Sequence, residues 1–265
     1  MLKAFFNKHP KIHPRRQFRA GVFARLTWWI RQEPRFMLIG AGKCGTTSLE
    51  KYITQHPAVE PTVVKELHYF DYMYDHGHDW YRSHFPLVLS KKISGDFTPS
   101  YLDHPEAPKR ISQRYPHMKF ILILRNPIDR AYSQYQHTKR NGDESLSFEN
   151  AVKTEFERIA KNEDSYKKFS YLTRGLYDEQ LSRWFSYFPR ENFLVLEYSE
   201  LENPSVLMDK IFAFLGLPLY KDIKFNKHNT GGEYEQIPFQ TRDELTSFFH
   251  SHNLKLRDMV GIDYT

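Results

Sequence analysis

Short apolar runs alternate along the chain with segments whose apolar residues recur every three or four positions. The apolar runs predict buried strands over residues 36–39, 93–96, 119–124 and 192–197, of which 93–96 is the weakest. The three-to-four spacing predicts helices over residues 46–55, 105–115, 128–140, 148–156, 173–188 and 204–215. This alternation predicts an α/β fold with a central parallel sheet flanked by helices.

The first 35 residues differ from the remainder in charge and pattern. They carry Lys and Arg throughout, and their apolar residues between Phe18 and Ile30 follow the spacing of a helix. Two interpretations stay open for this basic extension: packing on the domain, which we favour, or contact with an anionic membrane surface or partner. No Gly/Ser/Pro-rich linker divides residues 36–265, which therefore predict a single domain.

Composition narrows the class of protein. Of 265 residues, 40% are hydrophobic and 26% are charged, as in folded globular proteins. No apolar run reaches the roughly 18–20 residues that cross a bilayer, and no secretory signal follows the basic start. The single cysteine, Cys44, excludes an internal disulfide. These features predict a cytoplasmic protein.

The net charge of +6 favours an anionic ligand such as a nucleotide, a phosphate or an acidic glycan. No zinc-finger spacing or RNA-recognition signature is present, so we expect no nucleic-acid partner.

Residues 40–48, with the sequence GAGKCGTTS, carry the strongest chemical signal. They follow a predicted strand and open a predicted helix, so backbone N–H groups converge on one point at the positive end of that helix. Glycines let the backbone approach an anion closely. Lys43 adds a cation, and the three residues 46–48 add hydroxyl groups. The stretch predicts a cradle for a phosphate group.

This cradle departs from the nucleoside-triphosphate loop, G-x-x-x-x-G-K-[ST]. Gly40 and Gly45 have the required spacing, but Thr46 occupies the lysine position and Lys43 comes three residues earlier. The strongest predicted strand is followed by Arg125, where a magnesium-binding Asp would be expected. We therefore expect no metal, and a P-loop nucleotide kinase or NTPase is the alternative function.

Three segments resemble those of the sulfotransferases that use 3′-phosphoadenosine 5′-phosphosulfate (PAPS). K-x-G-T-T-S at 43–48 resembles their 5′-phosphosulfate loop, and L-R-N-P at 124–127 with Ser133 resembles their 3′-phosphate loop. K-E-L-H-Y-F-D at 65–71 is similar to a segment of the glycan branch, which includes the heparan sulfate sulfotransferases. The resemblance covers roughly residues 36–230. It implies the P-loop-like sulfotransferase fold and metal-free transfer of a sulfuryl group from PAPS, leaving the product PAP.

The resemblance also implies a donor site. Its members would be the loop residues and the phosphate-gripping pair: Gly42, Lys43, Cys44, Gly45, Thr46, Thr47, Ser48, Arg125 and Ser133. Lys43 would stabilise the charge that grows on the leaving 5′-phosphate. The cysteine-bridged loop of the heparan sulfate enzymes is replaced by a polar, glycine-ended segment at 225–232, whose candidate nucleotide contacts are Lys227, His228 and Asn229.

The K-E-L-H-Y-F-D segment supplies the candidate acid–base groups. Glu66 is the candidate general base, because an acceptor hydroxyl must lose its proton as the new S–O bond forms. His68 is the alternative base, since an imidazole titrates near neutrality. Asp71 and Asp96 are candidates to orient these groups or the acceptor.

Phe97 stands at a candidate acceptor position, before T-P-S-Y at 98–101, where the heparan sulfate enzymes carry Lys. In this position, and in lacking the cysteine bridge, the sequence resembles the soluble bacterial members of the family more than the heparan sulfate enzymes. The resemblance implies an acceptor hydroxyl or amine, on a saccharide or glycolipid first and on a small natural product second.

Three further expectations concern packing. Cys44 is expected to fill space in its loop, with redox control as the alternative. Tyr166, Tyr171 and Tyr177 are expected in the core, with stacking on adenine or a sugar as the alternative. Residues 161–168 are expected to form a polar excursion that acts as a lid on the acceptor side.

Overall fold

The computed structural model describes residues 22–226 and 236–265. Four strands form its sheet, and every neighbouring pair is parallel: β1 (Phe36–Gly40), β2 (Gly95–Phe97), β3 (Lys119–Leu124) and β4 (Phe193–Glu197). Their order is β2-β1-β3-β4. The chain thus leaves β1 toward one edge and returns to its other side, and such a reversal opens a crevice at the carboxyl ends of the strands. The predicted parallel α/β sheet is confirmed.

Helices flank this sheet. In chain order the described α-helices are α1 (Val22–Leu26), α2 (Thr46–Ile53), α3 (His78–Arg82), α4 (Ala107–Arg114), α5 (Pro127–Arg140), α6 (Phe148–Lys153), α7 (Glu155–Ile159), α8 (Glu163–Phe169), α9 (Tyr177–Phe185), α10 (Pro204–Leu215) and α11 (Phe239–Val260). Among the described residues, no helix is both long enough and apolar enough to cross a bilayer.

The two inner strands form the centre of the core. All five residues of β1 and five of the six residues of β3 are buried, which explains why both read as continuous apolar runs. The ring of Phe120 lies 4.7–5.0 Å from those of Trp184, Phe188 and Phe193. These aromatic contacts fix α9 and β4 against the sheet.

Two predicted helices are interrupted. The helix predicted over 148–156 divides at Thr154, whose hydroxyl donates to the Asn150 carbonyl at 2.8 Å and competes with the helical bonding pattern. The helix predicted over 173–188 begins with a 3₁₀ turn at Thr173–Gly175, before α9. The buried Glu155 carboxylate holds that turn by accepting from the backbone N–H and the hydroxyl of Thr173.

The polar excursion predicted over 161–168 is wrong, because α8 occupies most of it. Asn162 caps this helix by accepting from the Ser165 N–H at 2.8 Å. Lys168 pairs with Asp164 one turn away, and Tyr166 buries its ring. An N-cap and a buried aromatic residue fix the segment as a helix packed on the domain, and give the predicted lid no support.

The favoured packing of the N-terminal apolar face is also wrong for the side chains the structure describes. Phe23, Leu26 and Trp29 are exposed. Polar groups hold the segment instead: Arg31 donates to the Phe85 carbonyl at 2.7 Å, and Gln32 donates to three carbonyls of residues 87–92.

The sequence analysis did not predict α11, the longest described helix. It packs Leu245 and Phe249 into a second apolar cluster with Ile128 and Tyr135 of α5. The helix thereby braces the segment that follows β3.

Candidate active site

Residues 40–48, the donor loop, join β1 to α2 at the carboxyl edge of the sheet. Gly45 caps α2 with φ of 88°, and a Cβ there would lie 2.6 Å from Leu201, so only glycine fits. A Cβ on Gly42 would meet nothing within 4 Å. Leu201 therefore closes one side of the loop, while the space over Gly42 is open and leaves room for an anion.

Lys43 lies half-buried in this loop with φ of 71°. Burial, together with the positive charges of Arg140 and Arg130, lowers the pKa of Lys43 to about 8, although Glu66 acts in the opposite direction. Arg140, at the end of α5, is a cation near the site that the sequence analysis missed. A lysine among cations, with an open space beside it, suits a site that receives negative charge.

Arg125 follows β3 directly and lies beside the donor loop. Its guanidinium carbon is 4.8 Å from the centroid of the Tyr198 ring. A Cβ on Gly45 would lie 3.4 Å from that same ring. Ser133 is half-buried in the second turn of α5, whose first turn Asn126 caps through its side chain. The structure thus brings Arg125 to the donor loop, with Tyr198 as a neighbour that the sequence analysis missed.

Tyr177 contacts both the donor loop and the segment that follows β3. Its hydroxyl donates to the Arg125 carbonyl at 3.1 Å and lies 3.6 Å from the Cys44 sulfur. Cys44 is fully buried, and burial raises the pKa of its thiol. The predicted packing role of Cys44 is confirmed, because a buried, protonated thiol is unreactive. The predicted core positions of Tyr166, Tyr171 and Tyr177 are confirmed as well.

His68 lies between two carboxylates. Its Nε2 is 3.5 Å from Glu66 Oε2, and its Nδ1 is 2.8 Å from Asp71 Oδ2. Ser100, a further residue missed in the sequence, donates to the same Asp71 oxygen at 2.5 Å. The structure therefore joins Glu66, His68 and Asp71 in one chain of polar contacts.

The charges of this chain decide the state of the imidazole. Burial acts to lower the pKa of His68, but Asp71 and Glu66 outweigh it and raise that pKa to about 9. Burial likewise acts to raise the pKa of Asp71, yet His68 brings it down to about 2. An imidazolium has no lone pair with which to accept a proton, so this state disfavours the alternative in which His68 is the base.

Backbone conformation separates the three candidate catalytic residues from the rest of the described chain. Apart from glycines, only Lys43, Glu66 and His68 have positive φ there, at 71°, 53° and 54°. Left-handed backbone costs a side-chain-bearing residue on the order of 1 kcal/mol and concentrates at functional sites. The strain lies where the sequence motifs place the chemistry.

Lys65 connects the Glu66 segment to the donor loop. Its Nζ is 3.0 Å from the Thr47 hydroxyl, 2.8 Å from Glu50 and 4.0 Å from Glu66 Oε1. The sequence analysis gave Lys65 no role. Its position beside Glu66 in the motif was the available signal.

Two predicted acceptor residues lie beneath the site and do not face it. Asp96 is fully buried, and its carboxylate accepts from the hydroxyls of Tyr81, Thr98 and Tyr101 at 2.6–2.9 Å. Burial raises the pKa of Asp96 to about 6, despite these bonds. The Phe97 ring is buried 5.5 Å from that of Phe36. Both side chains are buried in contacts within the protein, so this arrangement does not support their predicted role at the acceptor.

The predicted nucleotide contacts Lys227, His228 and Asn229 lie outside the described residues. Just before them, the Asn226 carbonyl accepts from the Tyr52 hydroxyl of α2 at 2.9 Å. Within the described ranges, no three His, Cys, Asp or Glu side chains are arranged to hold a metal ion.

Comparison with known proteins places this geometry in a family. The model of the sulfotransferase domain matches residues 33–252. The chain belongs to the sulfotransferase family. Its fold is similar to that of the crystal structure of a sulfotransferase from Alicyclobacillus acidocaldarius, with a TM-score of 0.76 and 29% identity over 88% of this chain and 97% of that one.

Curated relatives of this sulfotransferase include heparan sulfate enzymes. The human heparan sulfate glucosamine 3-O-sulfotransferase 6 is 34% identical over 88% of this chain and 74% of its own length. The human bifunctional heparan sulfate N-deacetylase/N-sulfotransferase 2 is 28% identical over 86% of this chain. This sulfotransferase spans only 29% of the length of that larger relative.

Proposed function

We propose that this sulfotransferase transfers a sulfuryl group from PAPS to a hydroxyl or amine of a saccharide, with Glu66 as general base. The observation that carries the proposal is the position of Glu66 beside the donor loop. Its charge acts on Lys43, and the adjacent Lys65 donates to the Thr47 hydroxyl of that loop at 3.0 Å. Transfer of a sulfuryl group from a phosphate to an acceptor requires a base close to the site that binds the phosphate.

The residues present fit a nucleotide with two separated phosphate groups. The N–H groups at the start of α2, the open space over Gly42 and the Lys43 ammonium suit the 5′-phosphate. The planar Arg125 guanidinium and the Ser133 hydroxyl suit the 3′-phosphate. When bound there, PAPS supplies the activated sulfuryl group.

The polar chain around His68 prepares the base. The imidazole lies 3.5 Å from Glu66 and orients its carboxylate, and Asp71 fixes the ring from the opposite side. Glu66 takes the proton from the acceptor as the acceptor's oxygen or nitrogen forms a bond to sulfur. The charge that develops on the departing phosphate oxygen is stabilised by Lys43 and the loop N–H groups.

The saccharide acceptor rests on the names of the relatives, which act on heparan sulfate. The motifs describe the donor site and the proposed base, and they carry no information about which saccharide is the acceptor. We retain the cytoplasm as the proposed location, on the sequence features alone.

Thermal unfolding with PAP, and with ATP in the presence and absence of magnesium, tests the donor. We expect PAP alone to stabilise the fold, since a ligand at about 100 times its Kd adds roughly 2.7 kcal/mol. Stabilisation by magnesium–ATP without any response to PAP would favour the kinase alternative instead.

Transfer of radiolabelled sulfate from PAPS to desulfated heparan tests the chemistry. We expect Lys43→Ala to lower kcat on the order of 10²–10³-fold and Glu66→Gln on the order of 10²–10⁴-fold. Glu191→Gln, an exposed carboxylate on the 3₁₀ turn before β4, is the matched control. Undiminished kcat in Glu66→Gln would remove Glu66 as the base.

A further inference from the structure

The charge of this chain is unevenly distributed. The first 32 residues contain eight Lys and Arg and no Asp or Glu, which leaves 30 basic and 32 acidic residues in the remainder. The net charge of +6 therefore comes entirely from the N-terminal segment. The cations of the donor site, Lys43 and Arg125, lie outside that segment. We therefore attribute the excess charge to a different anionic partner.

The described end of this segment carries exposed apolar side chains. Phe23 is 70% exposed, Leu26 63% and Trp29 59%, and residues 88 and 89 add a Val at 57% and a Leu at 90%. We call this surface the N-terminal patch; its members are Phe23, Leu26, Trp29, Ile30, Val88 and Leu89. Large side chains exposed together in this way mark an interaction surface.

Backbone contacts hold the two segments of the patch in one surface. The Val88 N–H donates to the Ile30 carbonyl at 2.8 Å, and Arg31 and Leu87 form an antiparallel bridge. Gln32 donates to the Ser90 carbonyl at 3.1 Å. The patch is thus a defined feature of the fold and not the end of a loose chain.

The rim of the patch is basic. Arg25, Lys91 and Lys92 are exposed, and no acidic residue occurs within 22–32 or 86–92. Residues 1–21 precede the patch directly in the chain and add six more Lys and Arg with no acid. Exposed Trp, Phe and Leu side chains bordered by cations are the composition of segments that lie in a membrane interface.

We propose that the N-terminal patch binds the surface of an anionic lipid bilayer, with its apolar side chains in the headgroup region and its cations Arg25, Lys91 and Lys92 toward the lipid charge. A second copy of this chain is a poorer occupant. A two-fold contact would place the cations of the two patches against one another. Lipid headgroups of negative charge satisfy both the apolar and the cationic parts of the surface.

Co-sedimentation of the full chain with vesicles tests the proposal. We expect binding to vesicles of phosphatidylcholine and phosphatidylserine, little binding to phosphatidylcholine alone, and weakening with added salt. Trp29→Ser combined with Leu89→Ser should lower the partition coefficient at least tenfold. The matched control is Phe239→Ser, which removes an 86% exposed side chain at the start of α11.

A second readout separates lipid contact from unfolding. Brominated lipids should quench tryptophan fluorescence in wild type and less in Trp29→Phe, while both keep the same melting temperature. Absence of wild-type binding to phosphatidylserine vesicles would overturn the proposal. So would lipid-free dimers, seen by sedimentation velocity, that the Trp29→Ser/Leu89→Ser variant abolishes, because the patch would then bind a second copy.

Discussion

Lys43 occupies an environment that favours its neutral form. Burial and the charges of Arg140 and Arg130 bring its pKa to about 8 in the free protein. A neutral amine cannot stabilise a developing phosphate charge, so the role proposed for Lys43 requires its ammonium form. Alkaline solution should therefore remove activity by deprotonating Lys43.

We expect kcat/KM for PAPS to fall up to about tenfold per pH unit above about pH 8, because kcat/KM reports the free enzyme. Lys43→Arg should retain residual activity, and the fall of its kcat/KM should begin at higher pH, since a guanidinium stays charged. Lys51→Arg, on the exposed side of α2, is the control. If kcat/KM of Lys43→Arg falls at the same pH as in wild type, the fall is caused by the titration of another group.

His68 contributes to stability in a defined pH window. Its pKa is about 9 in the folded protein, against an ordinary value of 6.5. A raised pKa means that its contribution is fully present below pH 6.5 and is lost as pH rises through about 9. The loss follows from the imidazolium giving up its proton between two carboxylates.

The free energy of unfolding, measured in urea from pH 6 to 9.5, should show this loss. Relative to His68→Gln, wild type should lose about 1–3 kcal/mol across the window. His117→Gln, which replaces an exposed histidine, should follow wild type. Parallel curves for wild type and His68→Gln would mean that His68 is not held as a cation.

Residue type and order were enough to place Lys43 and Arg125 at the carboxyl ends of β1 and β3, because each lies in a motif that follows a strand. Glu66 lies in the loop between α2 and α3, and only its motif singled it out. Residue type and order were not enough for Asp96. Its partners Tyr81 and Tyr101 come from a helix and a turn on either side of β2, so only the folded chain shows that the carboxylate is already bonded.

At the scale of elements, the Tyr101 hydroxyl links β2 to the catalytic segment. It donates to Asp96 at 2.8 Å and accepts from the backbone N–H groups of Tyr69 and Phe70 at 3.0 and 3.3 Å. Those N–H groups directly follow His68. The bond therefore fixes the backbone next to Glu66, the proposed base, against the sheet.

Tyr101→Phe should lower the free energy of unfolding by about 1–3 kcal/mol, because it leaves buried polar groups unbonded. It should also lower kcat while KM for PAPS changes little, since the donor loop is a separate segment. Tyr187→Phe, at a partly exposed tyrosine, is the control. A large rise in KM for PAPS with normal kcat would contradict this role.

Elements with terminal signals were predicted well. The helix predicted over 128–140 is α5, which begins one residue earlier at Pro127, a residue favoured in the first turn of a helix. Other features depended on distant contacts: the turn at Thr173 is held by Glu155, and α11 is buried at only a few positions such as Leu245 and Phe249. A helix with so narrow an apolar face gives a weak periodic signal.

At the scale of the whole molecule, the two functional surfaces use opposite ends of the same strands. Arg35, just before β1, bonds to Ser94, just before β2. The N-terminal patch is connected to the amino end of β1, while the donor loop follows its carboxyl end.

That arrangement separates the proposed lipid contact from the donor loop. β1 has five residues, so its first and last Cα atoms are about 13 Å apart at about 3.3 Å per residue. A molecule resting on lipid by the patch would hold the donor loop, at the other end of β1, away from the headgroups. Acceptor chains that extend from the bilayer, or that arrive from solution, would reach it there.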